Sequence, residues 1–91
     1  MNTILEFNID CFTALPQTIY LPTASKVFYA TAHGSSITLY VLADSTCTTT
    51  ELRTFVVHSS GDLFSDKVVE YITTFDGILG VRHLFEVASK Q

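Results

Sequence analysis

The chain is short of charged residues and contains no tryptophan. Charged side chains make up 15% of the 91 residues, and the formal net charge is −4, whereas an ordinary soluble domain has about 25% charged residues. The five lysines and arginines are scattered singly, although binding to nucleic-acid phosphates needs a basic cluster. We therefore expect no nucleic-acid partner. The shortage of charge predicts that some apolar surface is buried against a protein partner or in a homo-oligomer.

Long apolar runs are also missing. No stretch approaches the roughly 20 apolar residues of a membrane-spanning helix. The N-terminal segment MNTILEFNID carries two carboxylates and lacks the basic start and apolar run of a signal peptide. We therefore expect a cytoplasmic protein with no membrane partner. In that compartment Cys11 and Cys47 are expected to be free thiols, and a disulfide between them is the alternative.

The residues that are abundant favour β-strands. Apolar residues make up 47% of the chain, and thirteen threonines accompany many valines, isoleucines, tyrosines and phenylalanines. A chain of this size and apolar content is expected to fold as a single domain, residues 1–91. Turn-forming residues separate seven candidate strands at 4–9, 17–22, 26–32, 36–43, 51–58, 67–75 and 80–87. The turn HGSS, residues 33–36, is expected to close a hairpin through Gly34.

The segment KVVEYITTF, residues 67–75, also has apolar residues at helical spacing. Five of its nine residues are β-branched, and such residues favour a strand. With this segment as a strand, the predicted fold class is all-β: a small antiparallel sandwich or barrel of six to seven short strands. We expect a mainly meander topology, because consecutive strands tend to pair.

The last strand, GVRHLFEV, places a histidine in an apolar row. Strand alternation puts Val81, His83, Phe85 and Val87 on one face, and the charged residues of the strand on the other. We therefore interpret His83 as a partly buried structural residue that is hydrogen-bonded to the backbone and packed beside Phe85.

Three histidines, His33, His58 and His83, are the obvious candidates for metal chemistry. They form no short-range ligand pair such as H-x-H, and Cys11 and Cys47 form no C-x2-C motif. We therefore predict no metal and no cofactor. A metal-dependent hydrolase that uses the three histidines remains the weakest functional hypothesis.

The loop HSSGD, residues 58–62, contains a base, two hydroxyls and a carboxylate within five residues. Catalytic triads converge from separate parts of a fold, and the G-x-S-x-G motif is absent. This loop is therefore not interpreted as a catalytic centre. Serine and glycine amides can instead cradle an anion, so a sponge for a small nucleotide-like anion is an alternative function. Its candidate ligand-binding residues are Arg53, His58, Ser59, Ser60 and Arg82.

Four short motifs together resemble a known group of proteins. They are Leu21-Pro22, the hairpin strand LYVLAD at 39–44, the loop SSG at 59–61, and the terminal HLFE at 83–86. In these motifs the chain is similar to a family of short phage and bacterial proteins of unknown function. The resemblance implies a phage or prophage accessory protein in the host cytoplasm, and it brings no catalytic residues with it.

The leading functional hypothesis is therefore a non-enzymatic accessory protein that binds a partner protein. Its motivation is the low charge, the strand-rich pattern and the lack of catalytic motifs. The resemblance to phage proteins suggests a host protein as the partner, for instance a defence component that the chain would inhibit.

Overall fold

The residues that the structure describes form seven β-strands. A computed structural model describes residues 1–11, 13, 15–77 and 80–89. The strands are β1 (Asn2–Asp10), β2 (Gln17–Pro22), β3 (Lys26–His33), β4 (Ser36–Asp44), β5 (Thr50–Ser59), β6 (Val68–Gly77) and β7 (Gly80–Val87). Each predicted strand is found, and the segment that also allowed a helix is strand β6. No helix within the described ranges is long and apolar enough to cross a membrane.

The strands form two antiparallel sheets, in the orders β1-β4-β3 and β2-β5-β7-β6. The sheets enclose one core and do not close into a barrel, so the sandwich is the correct one of the two predicted architectures. Among the described strands, consecutive ones pair only in the hairpins β3–β4 and β6–β7. The pairs β1–β4, β2–β5 and β5–β7 join strands that are distant in sequence, which corrects the mainly meander topology. Alternating hydrophobicity shows that a strand needs a partner sheet, but it does not say which strands are neighbours.

The core lies between the two sheets and is built from alternate residues of each strand. In β4, Ile37, Leu39 and Val41 have no solvent exposure, and they belong to one cluster with Phe55 and Leu84 of the opposite sheet. Strand alternation therefore sends the other row of β4, which includes Tyr40 and Leu42, to the outer face of the three-stranded sheet.

Strand β7 turns its charged row toward the core. Leu84 is fully buried there, and Arg82 and Glu86 share its face because they are two residues away on either side. The apolar row that contains His83 lies on the outer face of the four-stranded sheet. This placement is possible because Glu86 forms an ion pair with Arg53, and Arg82 donates a hydrogen bond to a backbone carbonyl. The outer face of the strand is itself covered by Phe64.

Three local predictions concern turns and cysteines. Gly34 has a positive φ of 58° in the β3–β4 turn, as the HGSS pattern predicts. The turn predicted between β6 and β7 includes residues 78–79, which lie outside the described residues. Cys11 and Cys47 are free thiols, and Cys11 is buried in the core.

Candidate functional site

The residues predicted to bind an anion are divided between the two faces of the four-stranded sheet. Arg53 and His58 are five positions apart on β5, so they lie on opposite faces and roughly 17 Å apart along the strand. Arg82 shares the inner face with Arg53 but lies near the other end of β7. Ser59 is the register partner of Arg82, while Ser60 contacts His83 on the outer face. The five predicted residues do not converge on one site.

Arg53 forms a buried ion pair between the sheets. Its Nε and Nη2 donate hydrogen bonds to the two carboxylate oxygens of Glu86, each over 2.7 Å, and its Nη1 donates to the carbonyl oxygen of Ser25 over 2.6 Å. The side chains of the pair are only 13% and 11% exposed. Hydrogen bonding and the charge of Glu86 raise the pKa of Arg53 above its ordinary value. Because Ser25 leads into β3, this guanidinium joins the two sheets.

Arg82 makes a similar link at the opposite end of the core. Its Nη1 donates a hydrogen bond to the carbonyl oxygen of Cys11 over 2.6 Å. Cys11 directly follows β1, and its own N–H donates to the carbonyl oxygen of Ser35. Arg82 therefore holds β7 against the end of the three-stranded sheet. Both arginines of the predicted anion site thus have structural partners.

The loop between β5 and β6 folds across the outer face of the four-stranded sheet, and we call residues 60–67 the strap. Phe64 of the strap stacks on His58, with ring centroids 4.0 Å apart and ring planes inclined by 11°. The same ring also contacts Phe85 of β7, at a centroid distance of 5.6 Å. These contacts explain why the outer faces of β5 and β7 are apolar, because the strap shields them from water.

His58 is enclosed beneath the strap between two carboxylates. The residue is 8% exposed. Its Nδ1 lies 3.6 Å from Oδ2 of Asp62, and its Nε2 lies 3.7 Å from Oδ2 of Asp66. Asp62 also accepts a hydrogen bond from the N–H of Ser59 over 2.9 Å, which fixes the first turn of the strap. Both distances to the imidazole exceed those of normal hydrogen bonds.

His83 lies directly opposite His58 in the β5–β7 register and belongs to a chain of polar side chains. Its Nε2 is 2.8 Å from Oγ of Ser60, and its Nδ1 is 3.0 Å from Oγ1 of Thr74. The Thr74 hydroxyl is in turn 2.6 Å from the hydroxyl of Tyr71. Ser60 and His83 are close enough to exchange a proton, but the third member of the chain is a hydroxyl. The orienting carboxylate of a Ser-His-Asp triad is replaced here by Thr74.

The interpretation of His83 is therefore confirmed in part. The residue is partly buried, and its ring lies beside Phe85 at a centroid distance of 6.4 Å. Its hydrogen-bond partners, however, are side-chain hydroxyls and not backbone groups. These two partners could not be predicted from the sequence, because Ser60 and Thr74 approach His83 only after the strap folds and β6 pairs with β7.

The three histidines are not arranged as a common metal site. His33 lies at the end of β3 in the other sheet, where its Nε2 is 3.1 Å from the hydroxyl of Thr31. Among the residues that the structure describes, no group of three His, Cys, Asp or Glu side chains is positioned to hold a metal ion. The hypothesised three-histidine centre therefore has no counterpart in this part of the chain.

The three-stranded sheet carries a second candidate surface on its outer face. We call it the outer patch, and it consists of Ile4, Phe28, Tyr29, Tyr40 and Leu42. Ile4 lies opposite Leu42 across β1–β4, and Tyr29 lies opposite Tyr40 across β3–β4. The tyrosine rings are 5.8 Å apart, and Phe28 is exposed beside them where the β3 register shifts. Exposures of 59% for Ile4, 47% for Phe28 and 53% for Tyr29 show that this apolar surface is open to solvent.

The shortage of charged residues predicted exposed apolar surface without indicating where it lies. The signal was present in SITLYVLAD, the sequence of β4, where apolar residues occupy both alternating rows. One row fills the core, so the other, with Tyr40 and Leu42, has to lie on the outer face.

Comparison with protein-family models gives a match over the whole chain. The family model of a domain of unknown function (DUF7352) covers residues 1–91. No curated protein and no solved structure matches the chain. A match over the full length is sufficient for assignment, so this chain, a seven-stranded antiparallel sandwich, belongs to the DUF7352 family of domains of unknown function.

Proposed function

We propose that this protein acts by binding another protein through the outer patch, without catalysing a reaction. The observation that carries the proposal is the continuous apolar surface across β1, β4 and β3, with two tyrosines paired at its centre. Solvent-exposed aromatic surface of this kind is costly to maintain unless a partner covers it.

The chemistry of the outer patch fits a protein partner. Tyrosine is enriched among the residues that contribute most to protein–protein binding, and interface centres are depleted of charge. Here the paired residues are Tyr29 with Tyr40 and Ile4 with Leu42. Charged groups occur at the margin: Lys26 lies opposite Leu42, and Glu6 lies opposite Tyr40. An apolar centre with a sparse charged margin is the usual organisation of a binding surface.

The sequence resemblance described above suggests a more specific form of this proposal. In that form the chain is a phage or prophage accessory protein, and its partner is a host protein, for example a defence component that it inhibits. The anion-sponge alternative has less support, because Arg53 and Arg82 hydrogen-bond within the fold.

The test compares two exposed tyrosines on different sheets. The tagged protein is used to capture partners from a lysate of cells that naturally contain it, and the captured protein is identified, purified and titrated. Tyr29→Ala removes a ring from the outer patch. Tyr20→Ala is the matched control, because Tyr20 is 66% exposed on β2 of the other sheet.

We expect Tyr29→Ala to weaken binding of the purified partner by about tenfold or more, since a central aromatic residue contributes roughly 2 kcal/mol or more. Tyr20→Ala should leave the affinity unchanged. Equal effects of the two substitutions, or binding that survives Tyr29→Ala, would refute the assignment of the outer patch as the binding surface.

A further inference from the structure

The four edge strands of the sandwich differ in how their edges are protected. β2 is six residues long and ends at Pro22. β3 has a register shift between Val27 and Tyr29, and β6 has two such irregularities. Short strands, prolines and bulges are the devices by which proteins prevent edge-to-edge pairing. β1 has none of these: its nine residues pair with β4 in one uninterrupted register.

The backbone groups of β1 alternate between β4 and the open edge. The N–H of Cys11 donates a hydrogen bond to the carbonyl oxygen of Ser35, and this pair continues the β1–β4 register. The backbone groups of the odd-numbered residues of β1 therefore bond to β4. The N–H and carbonyl of Asp10 instead bond to the side chain of Gln17, on the opposite side. By alternation, the backbone groups of Asn2, Ile4, Glu6 and Asn8 also point away from β4. No partner is found for them among the residues that the structure describes.

The inward side chains near this edge are incompletely covered. Ile9 is 6% exposed, but Thr3, Leu5 and Phe7 are only half-buried although they face the core side. They sit where the sandwich is open, along the free edge of β1. A strand added at that edge would cover them and would also bond the free backbone groups.

We propose that the strand added there is β1 of a second copy of this chain, paired antiparallel about a two-fold axis centred on Leu5. In this register Asn2 faces Asn8 of the second copy, and Ile4 faces Glu6. All four residues with free backbone groups are then used, giving about eight inter-chain hydrogen bonds. On the core side, Leu5 meets Leu5 and Thr3 meets Phe7, so the half-buried apolar row is covered.

Neighbouring registers fit less well. An axis at Glu6 would place two Glu6 carboxylates directly opposite each other, which is destabilising. An axis at Phe7 would require the backbone of Asp10, which Gln17 already occupies. The self-complementary register at Leu5 has neither problem, and this favours a second copy over a foreign strand. The result is a continuous six-stranded sheet of order β3-β4-β1-β1-β4-β3.

This dimer does not depend on the proposed function, because the outer patch lies on the face of the sheet and the pairing uses its edge. It would place two outer patches on the same side of one continuous sheet. A partner with two equivalent sites would then bind more tightly than a single patch allows.

The first test measures the molecular mass in solution and asks whether a substitution at Glu6 changes it. Light scattering should give twice the chain mass of 10.1 kDa. Glu6→Pro removes an N–H that points to the open edge and leaves the bonds to β4 intact, so it should yield a monomer. Glu6→Gln is the matched control, which keeps the N–H and should stay dimeric. Cooperative thermal unfolding of each variant shows whether it is folded.

The second test determines the register in which the two β1 strands pair, and it does not depend on the proline variant. Leu5→Cys in a Cys47→Ser background places two thiols at the two-fold axis, where non-hydrogen-bonded pairs have the Cα separation of a disulfide. Mild oxidation should convert most of the protein to a disulfide-linked dimer. Asn8→Cys in the same background is the control and should remain uncrosslinked, because the two Asn8 positions lie roughly 20 Å apart. A monomer at all concentrations, a dimer that survives Glu6→Pro, or equal crosslinking of both cysteine variants would overturn the proposal.

Discussion

The buried pair between Arg53 and Glu86 allows a quantitative prediction about stability. Glu86→Leu removes both carboxylate acceptors, each 2.7 Å from a guanidinium nitrogen, and leaves the Arg53 charge 13% exposed. Breaking a buried pair in this way costs about 3–5 kcal/mol. We expect about 3 kcal/mol, because the Ser25 carbonyl still accepts from Nη1. The melting temperature of a domain of this size should fall by roughly 12 °C or more.

A double variant and a control variant separate this burial effect from a general loss of charge. Removing both partners with Arg53→Met and Glu86→Leu leaves no unpaired charge, so the double variant should recover most of the loss. Glu51→Leu is the matched control: Glu51 also approaches Arg53, at 3.7 Å, but its side chain is 44% exposed, and we expect it to cost less than about 1 kcal/mol.

Urea and thermal unfolding of the four variants and the native chain measure these differences as a double-mutant cycle with one control. Arg53→Met alone leaves the Glu86 carboxylate, which is 11% exposed, without its partner and should likewise cost about 3 kcal/mol. With a double variant that loses only about 1 kcal/mol, the coupling between Arg53 and Glu86 should be about 5 kcal/mol. If Glu86→Leu costs no more than Glu51→Leu, or if the effects of the two substitutions of the pair simply add, the ion pair between Arg53 and Glu86 does not stabilise the fold.

Two further predictions concern the strap and the thiols. Phe64→Ala should destabilise the fold by about 1–2 kcal/mol and speed hydrogen exchange at His58, because the stacked ring is lost. Leu63→Ala, at a neighbouring position that is 99% exposed, should change stability by less than about 0.5 kcal/mol; equal effects would show that the strap is not held by stacking. Hydrogen bonding with Thr49 lowers the pKa of the Cys47 thiol, so at any given pH more of it is thiolate than in an ordinary cysteine. A thiol reagent near neutral pH should therefore modify Cys47 quickly and the buried Cys11 slowly, and rapid labelling that persists after Cys47→Ser would contradict this.

Part of the candidate site could have been predicted from spacing alone. Arg53 and His58 are an odd number of positions apart on one strand, which puts them on opposite faces whatever the fold. The strap could not be placed in the same way. Phe64 covers His58 because the loop returns over its own sheet, and a loop sequence contains no periodic pattern that states where it packs.

The local sequence determined where the strands of this protein begin and end. Alternating apolar residues, β-branched side chains and turn residues act within a few positions of the chain, so the seven strands and the turn at Gly34 were predictable. The tertiary structure decided which strands are neighbours and which face of β7 is buried. A period of two shows that Arg82, Leu84 and Glu86 share a face, but not that this face is the inner one. That choice depends on contacts with distant parts of the chain. The carbonyl oxygen of Cys11 accepts a hydrogen bond from Arg82. The charge of Arg53 balances that of Glu86.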